Sequence, residues 1–288
     1  MTKDYKKIIG QMVDIAKDGN LGIEIEKTQK EYEEIDNNIA CIIKLIFDVL
    51  TPKSEDDIKV TEAKSIFSQY IILAYRESIK KDKTIANALL YSLIEDFPSI
   101  SNSCLLEKWR TLAESILSVR EIAGSKKRLE LWQNYSRLFQ AYNEFLNGLL
   151  NYLILCWKCH LGETVDLNIF GFSYGNKINE FEKLTNGEDG AFYLIFRIAK
   201  NQIRNAIAHG DIRFDPDSGI IYYLVGKKNK IEKQINIVDF MALTLMGSTI
   251  AQAYLVGIGT IVVMEQGSEK AINLLPDFLK NVYVFQTD

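Results

Sequence analysis

Apolar residues recur along most of this chain three and four positions apart, the spacing of helices with one buried face. The pattern predicts helices over residues 4–18 and 21–50. The second opens with the charged run E-I-E-K-T-Q-K-E-Y-E-E-I-D and closes with A-C-I-I-K-L-I-F-D-V-L before Thr51-Pro52. Helices over 59–81 and 83–96 follow, the latter stopping ahead of Pro98, whose ring disfavours helical backbone in the residue before it. Ser101 or Ser103 stands where it can cap a helix that runs to about Ile122 and is closed by Gly124. Ser125 stands where it can cap a long helix that ends near Gly162.

Residues 163–188 are rich in glycine and asparagine and read as a loop with one helical turn around 177–184. A helix over 189–209 then ends at Gly210. The period changes after it. Two β-rich runs, set around P-D-S-G and G-K-K-N-K turns, predict a small hairpin or meander over 211–235. An apolar helix over 237–264 and a final short helix complete a mostly α fold with a β insert. The best candidate boundary lies near Gly124, dividing an N-terminal helical region (1–124) from a helical bundle with the β insert (125–288). A single continuous α domain is the alternative.

The stretch from Phe240 to Met264 holds no charged residue and is long enough for a bilayer span. It also holds Thr244, Ser248, Thr249, Gln252 and Thr260, and Asp239 and Glu265 flank it without a basic cluster or a tryptophan. Those features favour a core or dimer-interface helix. Gly247, Ala251, Gly257 and Gly259 would let neighbouring helices approach it closely.

Composition narrows the function. With 47% hydrophobic and 25% charged residues, the chain has the apolar material for a sizeable core. Its net charge of −4 gives no global positive field to draw nucleic acid, so any such contact must be local. The N-terminus carries no long apolar run after its basic residues, and four cysteines in 288 residues make no disulfide scaffold. Both point to a reducing cytoplasm.

Cys156-Trp157-Lys158-Cys159-His160 has the C-x-x-C-H spacing of a haem-attachment or redox site. It closes the long helix and lacks the strand, export signal or second ligand pair that those sites require. Small core residues at a helix end are the reading that remains. With two histidines and no G-x-S-x-G elbow, serine-type catalysis has no footing. No glycine-rich phosphate loop is present either: G-I-G-T near 257–260 sits inside the apolar helix with no lysine where the loop needs one. The clusters Lys126-Lys127-Arg128 and Lys227, Lys228, Lys230 and Lys233 read as solvated faces.

The segment I-R-N-A-I-A-H-G (203–210) remains. On a wheel of the 189–209 helix, Phe192, Ile195, Phe196, Ala199, Ile203, Ala206 and Ile207 form one buried stripe. Arg197, Asn201, Arg204, Asn205 and His209 gather opposite, with Lys200 beside them as a further basic contact. Arg204 and His209 are five residues and about 140° apart, so they meet only through the reach of arginine, a tightened last turn or a second copy of the helix. Arginine grips phosphate through its planar fork, and imidazole, with an ordinary pKa of about 6.5, transfers protons to and from ribose and leaving-group oxygens. Neither metal nor cofactor is needed for that chemistry. A solvated helix end, with an imidazole near the negative pole of the dipole, is the plainer alternative.

Arg204-Asn205-Ala206-Ile207-Ala208-His209 resembles the signature of the HEPN superfamily (higher eukaryotes and prokaryotes nucleotide-binding): an arginine, a polar residue, then histidine after four to six positions at a helix end. The resemblance is strict over 204–210 and extends loosely over 125–265. It implies a helical bundle and a metal-independent endoribonuclease acting on RNA in toxin–antitoxin or abortive-infection antiviral defence. It implies a homodimer whose two-fold brings two such helices together. Arg204 would hold phosphate, His209 would transfer protons and Asn205 would position one of them, with Arg197, Lys200 and Asn201 as weaker substrate contacts. An antitoxin or regulatory protein is the further partner implied. Members silenced by a nucleotidyltransferase antitoxin carry a tyrosine two residues after the histidine, where this chain has Asp211. Other members only bind nucleotides or proteins, which makes a non-catalytic binding module the alternative function. A membrane-associated effector using 240–264 is the third.

Overall fold

The computed structural model describes residues 3–17, 34–122, 124–226 and 229–284. Helices dominate, with one small antiparallel sheet, as the hydrophobic periodicity predicts. In chain order they are α1 (Lys3–Lys17), α2 (Asn37–Leu50), α3 (Ile58–Ile79), α4 (Lys83–Tyr91), α5 (Leu106–Glu121) and α6 (Arg128–Leu161). After these come α7 (Tyr174–Thr185), α8 (Tyr193–Ile198), α9 (Asn201–Ala208), α10 (Ile237–Ser248), α11 (Ile250–Gln266), α12 (Glu269–Leu274) and α13 (Asp277–Val284).

Local signals account for several of these boundaries. The Asp36 carboxylate accepts the amides of Asn38 (2.9 Å) and Ile39 (3.3 Å), so α2 starts at Asn37 and not within the charged run. Residues 21–33 of the expected 21–50 helix lie outside the described residues. Helix α4 stops at Tyr91, earlier than expected, and Leu105 rather than a serine precedes α5. Ser103 turns inward and takes the Phe97 amide at 2.6 Å. Helix α6 runs 34 residues and ends on Gly162 in the left-handed conformation (φ 73°).

The apolar segment 237–264 is two helices, α10 and α11, divided by a single turn at Thr249. Helix α11 lies in the middle of the molecule against α3 and α2. Its glycines set that approach. A Cβ on Gly257 would stand 2.6 Å from Ile71 Cβ on α3, and one on Gly259 would stand 2.9 Å from Ile42 on α2. The hydroxyls of Thr244 and Thr260 donate to the carbonyls of Phe240 (2.7 Å) and Val256 (2.8 Å), so no polar atom of theirs goes unpaired in the core. By length and composition the pair could cross a membrane, and 89% of its most apolar window is buried inside this fold. Buried apolar side chains from Ile8 to Leu279 belong to one cluster.

The insert is a meander of β1 (Ile212–Asp215), β2 (Ile220–Val225) and β3 (Ile231–Asn236), in that spatial order. It docks on the start of α6. Trp132 stacks on Phe214 (centroids 5.6 Å apart), and Arg128 Nη1 donates to the carbonyls of Pro216 (2.9 Å) and Asp217 (2.7 Å). One residue of the basic cluster at 126–128 is thus a clamp on the first hairpin turn.

Candidate functional site

The expected 189–209 helix is broken. A 3-10 turn (Gly187–Asp189) leads to α8, and α8 and α9 are separated by Ala199 (φ −73°, ψ 67°) and Lys200 (φ −85°, ψ 71°). Both residues are inverse γ-turns, closed by Lys200 N donating to Ile198 O (2.8 Å) and Asn201 N to Ala199 O (3.0 Å). The break is stabilised from outside: the buried Tyr142 hydroxyl, on α6, donates to the Ile198 carbonyl at 3.1 Å. The predicted stripe is still inward. Phe192, Ile195, Phe196, Ala199, Ile203 and Ala206 are buried, and Ile207 is half-buried.

Arg204 sits in the middle of α9, against α6. Its Nη2 forms a close ion pair with Glu144 Oε1, and its Nη1 donates to Asn205 Oδ1 at 3.2 Å. The guanidinium carbon is 6.0 Å from the centroid of the Tyr174 ring. Tyr174 is itself fixed, its hydroxyl donating to Asn143 Oδ1 at 2.7 Å. Burial pushes that hydroxyl well above its ordinary pKa, so it acts as a neutral donor. Two helices therefore hold the guanidinium in place: α6 through Glu144 and α7 through the Tyr174 face.

His209 follows the last turn of α9. Gly210 (φ 70°) is the left-handed residue of a Schellman end, with Gly210 N donating to Ile207 O (3.3 Å) and Asp211 N to Ala206 O (2.8 Å). The His209 side chain is exposed, and among the described residues its imidazole makes no hydrogen bond or ion pair. Asp211 pairs with Lys230 at 2.5 Å and accepts the Leu224 amide on its carbonyl at 2.9 Å, tying the site to the meander.

Comparison with protein-family models, curated proteins and solved structures finds no match to this chain.

The structure joins Arg204 directly to Asn205 and sets the remaining predicted residues apart. Arg197 belongs to α8, beyond the break, so it does not share a helix face with Arg204; it lies 5.0 Å over the Tyr193 ring and 3.9 Å from Glu188. Lys200 is the second of the two γ-turn residues. Asn201 is a packing residue: a Cβ on Gly175 would meet its Nδ2 at 2.6 Å, and its Oδ1 is buried without a partner among the described residues. Sequence reasoning missed Glu144, Tyr174 and Lys177. A signal for them exists in Asn143, Asn147 and Asn151, which recur every fourth residue through the most apolar part of α6. A polar stripe there must face something polar. Helix α7 was expected as one turn and has twelve residues; Tyr174, Ile178, Phe181 and Thr185 fall on one face, and Ser173 caps it by accepting the Asn176 amide at 3.3 Å.

The C-x-x-C-H segment is the end of α6. Cys156 is fully buried, with its thiol pushed up to about 12 by desolvation, and Cys159 is buried and likewise raised. His160 Nδ1 is 3.2 Å from Glu77 Oε2, and its ring packs on Trp157. Among the described residues, no group of three or more His, Cys, Asp or Glu side chains is arranged around a shared metal position.

Proposed function

We propose that the chain is a metal-independent endoribonuclease of a defence or toxin type, acting as a homodimer through Arg204 and His209. The observation that carries this reading is the contrast between the two residues. Arg204 is held by Glu144, Asn205 and Tyr174, while His209 stands exposed at a helix end and, among the described residues, neither of its ring nitrogens has a partner. A prepositioned guanidinium suits a phosphate that gains charge, because no reorganisation is needed during reaction. A free imidazole suits proton transfer. In the reaction, His209 takes the ribose 2′-OH proton, the 2′-oxygen attacks phosphorus, and the bond to the 5′-oxygen breaks. The products are a 2′,3′-cyclic phosphate and a 5′-hydroxyl that has taken up a proton. Asn205 positions Arg204. The exposure of Ala208, His209 and Gly210 together supports a second α9 as the source of the other half of the site.

The test is cleavage of a mixed RNA pool in EDTA. Wild type should yield 2′,3′-cyclic phosphate ends, and Arg204→Ala and His209→Ala should each lose about 100-fold or more of the rate. Full activity in either variant sinks the assigned roles. A second reading, a non-catalytic RNA- or nucleotide-binding module, draws on one observation: Glu144 already neutralises Arg204. It predicts binding that Arg204→Ala weakens, with no turnover by the wild type.

A further inference from the structure

A second polar site lies along α6 from the Arg204–Glu144 pair. The strap Ile100–Ser103, α5, α6 and α7 line a partly open cavity of about 170 Å³. Lys177, on α7, reaches into it although the residue is only 3% exposed. Its ammonium donates to Asn147, at 3.0 Å to Oδ1 and 3.4 Å to the carbonyl, and has no carboxylate within ion-pair distance among the described residues. Lys108, on α5, lines the same cavity and also lacks a carboxylate partner there. Its stem lies across α6 at Gly148, where a Cβ would stand 3.3 Å from Lys108 Cδ. Asn151, 6% exposed, lines it as well; its amide makes no hydrogen bond among the described residues, and its Oδ1 is buried. The strap's nearby carboxylate, Asp96, is spent on the amides of Asn102 (3.2 Å) and Cys104 (2.7 Å). Glu144 is the acidic group that acts on Lys177, and it is committed to Arg204.

A cavity with two cations, no paired anion and an idle amide is incomplete by itself. Burying an ammonium without a counter-charge costs stability, and burying an unpaired amide does so as well. We propose that this cavity binds a phosphate monoester that carries a neighbouring hydroxyl, of the sugar-phosphate class. The phosphoryl oxygens would lie between the Lys177 and Lys108 ammoniums, and the hydroxyl against the Asn151 amide, which offers both a donor and an acceptor. The volume equals roughly five or six water molecules. That accommodates a phosphoryl group with part of a sugar. The assignment does not rest on the ribonuclease reading, since it uses neither Arg204 nor His209.

Calorimetric titration of the full chain with ribose 5-phosphate, inorganic phosphate, ribose and a 5′-phosphorylated RNA oligomer tests it. Ribose 5-phosphate should bind about fivefold or more tighter than inorganic phosphate, and ribose should not bind at up to about 10 mM. Lys177→Met and Lys108→Met should each weaken ribose 5-phosphate about tenfold or more. Asn151→Leu should abolish the preference over inorganic phosphate. His209→Ala should bind as wild type does, which separates this site from the proposed nuclease. Circular dichroism of each variant checks that the fold is retained. Binding of the RNA oligomer alone, no binding by wild type, or affinity indifferent to Lys177→Met in a folded protein would each overturn the proposal.

Discussion

Arg204 and Lys177 pose opposite electrostatic problems one turn of α6 apart. Arg204 has its counter-charge in Glu144, and that pair is partly exposed, with 25% and 45% of the two side chains accessible. Such pairs contribute little to stability, so Glu144→Gln should change unfolding free energy by less than about 1 kcal/mol. Its effect should fall on geometry instead. On the proposed nuclease function, with the guanidinium no longer anchored, cleavage should drop by about tenfold or more, read from single-turnover rates. Equal rates would remove Glu144 from the site.

Among the described residues, Lys177 has no such partner. Burial lowers its pKa from 10.5 to about 8, opposed by Glu144 and reinforced by Lys108. Between about pH 8 and 10.5 the unfolded chain holds a proton on this lysine that the folded chain has released, so its contribution to stability rises with pH across that window and is lost as pH falls through 8. Lys177→Met lacks the buried charge. It should therefore be more stable than wild type at pH 7, with the advantage shrinking towards pH 10, measured by urea denaturation. An advantage that grows with pH would contradict the assigned burial.

At the scale of elements, the long apolar segment shows how much a helix's neighbours ask of it. Gly257 is where α11 crosses α3, and Gly10 on α1 faces open space. The same substitution should therefore have opposite signs. Gly10→Ala removes backbone freedom from the unfolded chain and meets nothing, so it should stabilise by about 0.5–1 kcal/mol. Gly257→Ala pushes a methyl towards Ile71 Cβ, an atom fixed to its backbone, and should destabilise by about 1–2 kcal/mol. Paired thermal melts check both. Predicted and observed helices agree best where periodicity alone decides, as in α3 and α6. They part at α8–α9. No Pro or Gly marks Ala199-Lys200, and the turn there is held by the Tyr142 hydroxyl from 56 residues away in sequence.

For the whole molecule, the proposed nuclease needs two chains if Arg204 and His209 of one cleft come from different protomers. Mixing Arg204→Ala with His209→Ala under conditions that exchange subunits tests this directly. If each cleft takes Arg204 from one protomer and His209 from its partner, half of the dimers carry one intact cleft of two. About a quarter of wild-type cleavage should return. No recovery, with heterodimers confirmed by native mass spectrometry, would place both groups in one chain or remove them from catalysis.

The helical class, the meander after Gly210, the buried stripe of 189–209 and the small residues of the apolar segment all follow from the sequence, because periodicity, turn chemistry and side-chain size act within a few residues of one another. The polar partnerships do not. Glu144 meets Arg204 across 60 positions, and Lys177 meets Asn147 across 30. Charge and hydrogen-bonding capacity are visible in a side chain, but the distance over which they act is set by how α6, α7 and α9 pack. The tertiary fold alone turned an arginine and a lysine into one anchored cation and one buried without a counter-charge.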